Sequence, residues 1–87
     1  MKWIKKEAGR YVSEDGRFEI NKTWSRTYGN HWELRDKDAR DHFLKEADTN
    51  AWLANQKATR RRDSLVECKE LAERLNASAN LTLIKFY

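Results

Sequence analysis

The chain has 87 residues, of which 37% are charged, with a formal net charge of +4 and an isoelectric point of about 9.4. This length is typical of one small domain spanning 1–87, and four Trp, three Tyr and three Phe provide the large side chains that a small core needs. No apolar run approaches the roughly 18–20 residues of a membrane span, and the N-terminal residues lack the apolar segment of a secretory signal. We therefore expect a soluble, cytoplasmic protein.

The first third of the chain has the pattern of antiparallel strands. Polar and apolar residues alternate over 17–24, which places Phe18, Ile20 and Trp24 on one face of a half-buried strand. Lys22 breaks this alternation. Just before the strand, Asp15-Gly16 favours a tight hairpin turn, because glycine adopts positive φ at little cost.

Two further strands are predicted on either side of this hairpin. Residues 31–35 alternate again, with Trp32 and Leu34 facing the core. Residues 2–6 predict a short first strand whose Trp3-Ile4 pair contributes one side chain to the core.

From 38 to 63 the apolar residues recur at spacings of three and four, which favours helix. Asp38 and Asp41 favour a helix start, because negative charges are attracted to the positive N-terminal end of the helix dipole. Asn50 is a candidate N-cap for a second helix. The pattern is compatible with one long helix, with two helices, or with a strand over 41–49.

The last helix has the clearest signals. Ser64-Leu65-Val66-Glu67 is a capping-box pattern, and the helix is predicted to end near Asn76. Its apolar stripe consists of Leu65, Cys68, Leu71, Ala72 and Leu75. Residues 81–87 have strand composition. The sequence thus predicts an α+β fold, an antiparallel sheet of three to four strands packed against C-terminal helices, to which the C-terminal segment can add an extra strand.

No group of residues has the pattern of a catalytic or metal site. His31 and His42 lack a serine or cysteine partner in any motif, and His31 alternates outward as a surface imidazole. Cys68 is the only cysteine and falls on the apolar stripe, which is typical of a core residue. We expect no enzymatic activity, no metal and no cofactor.

Three consecutive arginines, Arg60, Arg61 and Arg62, precede the last helix. Neighbouring positions on a helix point around its cylinder, so the run is expected to be largely solvated. It is interpreted either as a charged helix end or as a patch that contacts phosphates.

The predicted sheet provides a second polar cluster on the face opposite its core: Arg17, Asn21, Thr23, His31 and Arg35. Glu19 and Glu33 lie on the same face and dilute its positive charge. In the loop between the strands, Arg26 and Tyr28 are an exposed cation and ring. Such a pair contacts phosphates and bases or anchors a protein interface.

The stretches 9–11, 15–20, 32–36 and 64–75 follow one another as a tyrosine strand, Asp-Gly with Phe-x-Ile, Trp-x-Leu-x-Asp, and a helix. This order resembles a class of short proteins encoded by phages and prophages, a resemblance that implies no catalytic residues. The order of three strands and a helix is also similar to small DNA-binding modules of plant ethylene-response factors and some integrase N-terminal domains. In those modules the exposed face of the sheet enters the major groove.

Two classes of partner follow from these patterns. The first is nucleic acid, DNA or RNA, bound through a basic surface by an accessory protein of phage or mobile-element type. The second is a host protein or ribonucleoprotein, such as a CRISPR effector, bound by a phage-type inhibitor. Neither a membrane nor a small-molecule substrate is expected. The residues predicted to carry the binding are Arg17, Arg26, Tyr28, Arg35, Arg60, Arg61 and Arg62.

Overall fold

A computed structural model describes residues 1–46 and 49–77. Its strands are β1 (Trp3–Glu7), β2 (Arg10–Ser13), β3 (Phe18–Ser25), β4 (Gly29–Asp36) and β5 (Thr59–Arg62). They form one antiparallel sheet in the order β1-β2-β3-β4-β5. The helices are α1 (Lys37–Leu44), α2 (Ala51–Lys57) and α3 (Leu65–Ala77), and the first two connect β4 to β5.

The α+β class and the packing of the last helix on the sheet are confirmed. The sheet has five strands, one more than the larger number expected. None of the helices in the described ranges is long and apolar enough to cross a membrane. The strand predicted over 81–87 lies outside the described residues.

The β2–β3 connection is the predicted Asp-Gly turn. Gly16 has a φ of 78°, which other residues rarely adopt. The Asp15 carboxylate accepts hydrogen bonds from the Ser13 hydroxyl at 2.6 Å and from the Arg17 amide at 3.0 Å. These two bonds, led by that from Ser13, lower the pKa of Asp15. The turn is therefore held by hydrogen bonds between residues that are close in the sequence.

The core lies between α3 and one face of the sheet, the inner face, which carries Phe18, Ile20 and Leu34. These three side chains are at most 1% exposed. Facing them is the predicted apolar stripe of α3, of which Cys68, Leu71, Ala72 and Leu75 are buried. Half-buried side chains complete the cluster: Trp3, Tyr11, Trp32 and Leu65. The predicted core is thus confirmed at these positions.

Trp24 is the exception, because its side chain is 65% exposed. It continues the alternation of Phe18 and Ile20, as predicted, but the pairing of β3 with β2 extends only to Asn21. At Trp24 the strand pairs with β4 alone. The expectation that Trp24 meets the last helix is wrong, because the strand extends past the elements that bury its beginning.

The segment from 38 to 63 contains two helices and a strand. Asp36, at the end of β4, is the N-cap of α1, and its carboxylate accepts from the Asp38 and Ala39 amides. Asn50 is the N-cap of α2, as predicted, and its side chain accepts from the Leu53 amide at 2.9 Å. Because α1 extends to Leu44, the alternative of a strand over 41–49 is wrong at its start.

Asp36 connects four elements of the fold. It is 2% exposed, and its two carboxylate oxygens accept from Nε and Nη2 of Arg17, each at 3.0 Å. Its backbone amide donates to the Ala58 carbonyl at 3.1 Å. The beginning of β3, the end of β4, the first turn of α1 and the approach to β5 therefore meet at one buried ion pair.

Candidate functional site

The three arginines Arg60–Arg62 lie on β5, so the interpretation as a helix end is wrong. Arg60 is paired with Leu34 and Arg62 with Trp32, and directly paired residues share a face. Both arginines are half-buried at the edge of the inner face, whereas Arg61 is exposed on the opposite, outer face. The run is therefore divided between two surfaces and does not form one solvated patch.

Arg60 and Arg62 make local contacts with the backbone. Nη1 of Arg60 donates to the carbonyls of Lys57 and Thr59, at 3.1 and 3.0 Å. Nη1 of Arg62 donates to the Arg61 carbonyl at 2.7 Å. Both guanidinium groups thus bond to the backbone of β5 or of the residues just before it.

Acidic residues neutralise much of the positive charge on the outer face. The Glu19 carboxylate accepts from Arg10 at 2.9 Å and lies 3.8 Å from Arg35. Partial burial raises the pKa of Glu19, but hydrogen bonds from Asn21 and Arg10 and the charges of Arg10 and Arg35 outweigh this effect and lower the pKa. Glu19 therefore remains ionised at neutral pH, and Arg35 faces a carboxylate.

Arg17 is also engaged inside the protein. Besides the paired bonds to Asp36, its Nε lies 3.4 Å from the Asp38 carboxylate, and its guanidinium lies over the Phe18 ring at 4.6 Å. Burial lowers the pKa of Arg17, but the hydrogen bonds and charge of Asp36 outweigh it and raise the pKa. Of the predicted binding residues, Arg17 has the clearest structural role.

Tyr28, His31 and Arg61 form a stack on the outer face. The Arg61 guanidinium lies 3.7 Å from the centroid of the Tyr28 ring, and that ring packs nearly perpendicular to the His31 ring, with 5.9 Å between the two centroids. His31 is 4% exposed, so the prediction of a surface imidazole is wrong. The strand alternation did place His31 outward, but the Tyr28 ring packs against it.

A hydrogen bond to the backbone orients the His31 ring. Nδ1 lies 3.0 Å from the Gly29 carbonyl, which can only accept, so Nδ1 carries a proton. Nε2 lies 3.7 Å from the Glu33 carboxylate. This stack borders a shallow groove of about 330 Å³, which is also lined by Glu33 and by four uncharged polar residues, Ser25, Thr27, Gln56 and Thr59.

Beyond the five-stranded part of the sheet, β3 and β4 continue as a two-stranded projection, the β3–β4 arm, residues 22–31. Pairing with β2 ends at Asn21 and pairing with β5 ends at Trp32, whereas β3 and β4 pair as far as Ser25 and Gly29. The turn is held by the Tyr28 amide, which donates to the Ser25 hydroxyl at 3.0 Å.

The arm combines cations and aromatic rings without any acidic residue. The sequence from 21 to 32 contains no Asp or Glu. Lys22 and Arg26 are exposed, as are Trp24 (65%) and Tyr28 (57%), and Arg61 contacts the arm from β5. The arm thus brings together the predicted residues Arg26, Tyr28 and Arg61, while the other four predicted residues lie elsewhere.

Lys22 and Trp24 are the residues that the sequence-based prediction of the site missed. Their signal was present, because Lys22 interrupts the apolar alternation at the point where the buried part of β3 ends. On the inner face of the arm the Lys22 ammonium lies 6.0 Å from the centroid of Trp32, the residue with which it is paired.

A second exposed apolar surface lies on the α1–α2 hairpin. Leu44 is 40% exposed, Trp52 66% and Leu53 36%. The small cluster that joins the two helices consists of Ala39, Phe43, Ala54 and Ala58. Trp52 is one of the apolar residues whose spacing favours helix over 38–63, but its side chain faces solvent.

Within the described ranges no group of three or more His, Cys, Asp or Glu side chains has a geometry that could hold a metal ion. Cys68 is fully buried, and this burial raises the pKa of its thiol to about 11. A thiol with such a pKa is a poor nucleophile at neutral pH.

Comparison of the chain with protein-family models, with curated proteins and with solved structures found no match.

Proposed function

We propose that the protein is a non-enzymatic nucleic-acid-binding protein whose contact surface is the β3–β4 arm together with Arg61. The observation that carries the proposal is the arm itself, a projecting ribbon with exposed cations and rings and no acidic residue from 21 to 32. Cations that contact phosphates supply most of the affinity for nucleic acid, and exposed aromatic rings stack on bases.

The rest of the molecule supports the choice of this surface. The net charge of +4 is small, and on the outer face Arg10 and Arg35 share the Glu19 carboxylate. Arg61 lies 3.6 Å from the Asp63 carboxylate, whereas Lys22 and Arg26 form no ion pair among the described residues. A polyanion is therefore attracted most strongly to these two cations of the arm. The resemblance to short phage-encoded proteins supports the proposal of an accessory protein of phage or mobile-element type, which would act in the host cytoplasm, where a thiol such as that of Cys68 stays reduced.

The test is the salt dependence of binding to duplex and single-stranded DNA and RNA. The arm variant Lys22→Gln/Arg26→Gln should weaken binding and lower the slope of log affinity against log salt by about 1 for each lost phosphate contact. The matched control is Lys5→Gln/Lys6→Gln, which removes two exposed charges from the edge strand β1. It should leave the slope nearly unchanged. Absence of binding to every nucleic acid at about 50 mM salt would contradict the proposal, because phosphate contacts are strongest there.

A second candidate is favoured by the exposed apolar side chains of the α1–α2 hairpin, Leu44, Trp52 and Leu53. Exposed Trp residues are frequent anchors of protein interfaces, so an inhibitor of a host protein or defence complex would use this surface. A host partner that survives nuclease treatment, and is lost with Trp52→Ala but kept by the Lys22→Gln/Arg26→Gln variant, would favour this candidate over the first.

A further inference from the structure

The indole of Trp24 is the most exposed large apolar side chain in the described strands, at 65%. It lies on the inner face of the arm, paired across the ribbon with Asn30. Lys22, two residues earlier on the same strand, shares this face. A flat ring thus lies beside a cation, at a point that α3 leaves uncovered.

The opposite face of the arm is braced. There the Tyr28 ring contacts both the His31 ring and the Arg61 guanidinium, and the contact with Arg61 ties the arm to β5. One face of the Tyr28 ring is occupied by Arg61, whereas no described aromatic or cationic group lies on the Trp24 ring. Because these contacts hold the arm in one conformation, less conformational entropy is lost when a ligand binds to its opposite face.

We infer that Trp24 stacks on an unpaired base of a single-stranded nucleic acid, with Lys22 and Arg26 beside the adjoining phosphates; this rests on the proposed function and names its substrate class. Stacking on an aromatic side chain needs a base with a free face, which single strands and loops offer. In a duplex each base is stacked on its neighbours, so only base edges are presented in the grooves.

The chain contains its own matched control. Trp52, on α2, is 66% exposed, nearly the same as Trp24, and lies outside the arm. Removing either ring should leave the core unchanged, because neither contributes to it. A difference in binding between Trp24→Ala and Trp52→Ala therefore reports the position of the ring and not the loss of an exposed Trp.

The experiment measures binding to an oligothymidylate of about 12 nucleotides, a length within the range that small domains cover. Trp24→Ala should weaken binding about 5- to 100-fold, and Trp24→Phe should restore most of it, because stacking needs a ring. Trp52→Ala should bind as the unmodified protein does. The salt slope should be the same with Trp24→Ala, since the phosphate contacts are intact.

A second probe isolates the base from the phosphates. On an oligomer of the same length made of abasic deoxyribose phosphates, Trp24→Ala and the unmodified protein should bind equally. Indole fluorescence gives an independent signal: binding of oligothymidylate should quench the emission of Trp52→Phe, which retains Trp24. Trp24→Phe should not show this quenching.

The outcomes separate this inference from the function on which it rests. If duplex and single strand bind equally, Trp24→Ala has no effect and Lys22→Gln/Arg26→Gln still weakens binding, stacking on Trp24 is overturned and nucleic-acid binding stands. Equal losses in Trp24→Ala and Trp52→Ala also overturn it. If no nucleic acid binds at low salt, the proposed function fails as well.

Discussion

The two halves of the β3–β4 hairpin show the same alternation of side chains but have different surroundings. The lower half comprises residues 18–21 and 32–36, and the upper half is the β3–β4 arm. In the lower half, Ile20 and Leu34 are paired with each other and are at most 1% exposed. In the upper half, Trp24 continues the same face and is 65% exposed. The lower half is flanked by β2 and β5 and covered by α3. In the upper half β3 and β4 pair only with each other, and contacts to the rest of the described chain include the Lys22 amide bonded to the Gly9 carbonyl and the Arg61 guanidinium on the Tyr28 ring.

This difference shows that alternation assigns a face to each side chain but does not decide whether the face is covered. An apolar side chain is buried only where another element packs on it. A two-stranded ribbon has too little buried surface to be stable by itself. The arm therefore depends for its stability on the lower half and on the contact of Tyr28 with Arg61, while the side chains of Lys22, Trp24 and Arg26 remain exposed.

The largest expected effect on stability comes from breaking the ion pair between Arg17 and Asp36, which lies at the end of the lower half. Asp36→Ala removes the partner of the half-buried Arg17 and the N-cap of α1, and should destabilise the protein by about 3–5 kcal/mol. Urea unfolding measures this loss. Asp38→Ala is the control, because Asp38 also contacts Arg17 but its side chain is 61% exposed. Its cost should stay below about 1 kcal/mol, and equal losses would show that the pair is not the stabilising contact.

A smaller effect separates the two tryptophans of the β3–β4 hairpin, Trp24 and Trp32. Trp32→Ala removes a half-buried ring that packs on the core and lies 6.3 Å from Tyr11, and should cost about 2–3 kcal/mol, less than a fully buried ring. Trp24→Ala should change the free energy of unfolding by less than about 0.5 kcal/mol. Thermal unfolding of both variants checks the comparison, and a similar loss for Trp24→Ala would mean that the arm is part of the cooperative core.

The smallest effect is a dependence of stability on pH, which arises from the thiol of Cys68, buried between α3 and the sheet. Burial raises the pKa of Cys68 from 9.0 to about 11, so the folded protein holds this proton more tightly than the unfolded chain. The resulting stability is fully present below about pH 9 and is lost as the pH rises toward 11. The difference in unfolding free energy between the unmodified protein and Cys68→Ala should shrink over this range. A constant difference would place the thiol in contact with water.

The sequence alone determined those features that depend on short-range chemistry. The Asp15-Gly16 turn, the N-cap at Asn50 and the start of α3 at Ser64 each depend on a side chain that bonds to backbone a few residues away. The apolar stripe of α3 follows from helical periodicity. The α+β class follows from the change of period along the chain.

Only the tertiary structure decided the site and the fifth strand. Thr59–Arg62 contains no apolar residue, so its identity as a strand depends on pairing with β4, which is distant in sequence. That pairing separates Arg61 from Arg60 and Arg62. Likewise, the contact of the Tyr28 ring with the Arg61 guanidinium brings β5 to the arm. Such contacts join residues that are remote along the chain, and the periodicity of a single segment carries no information about them.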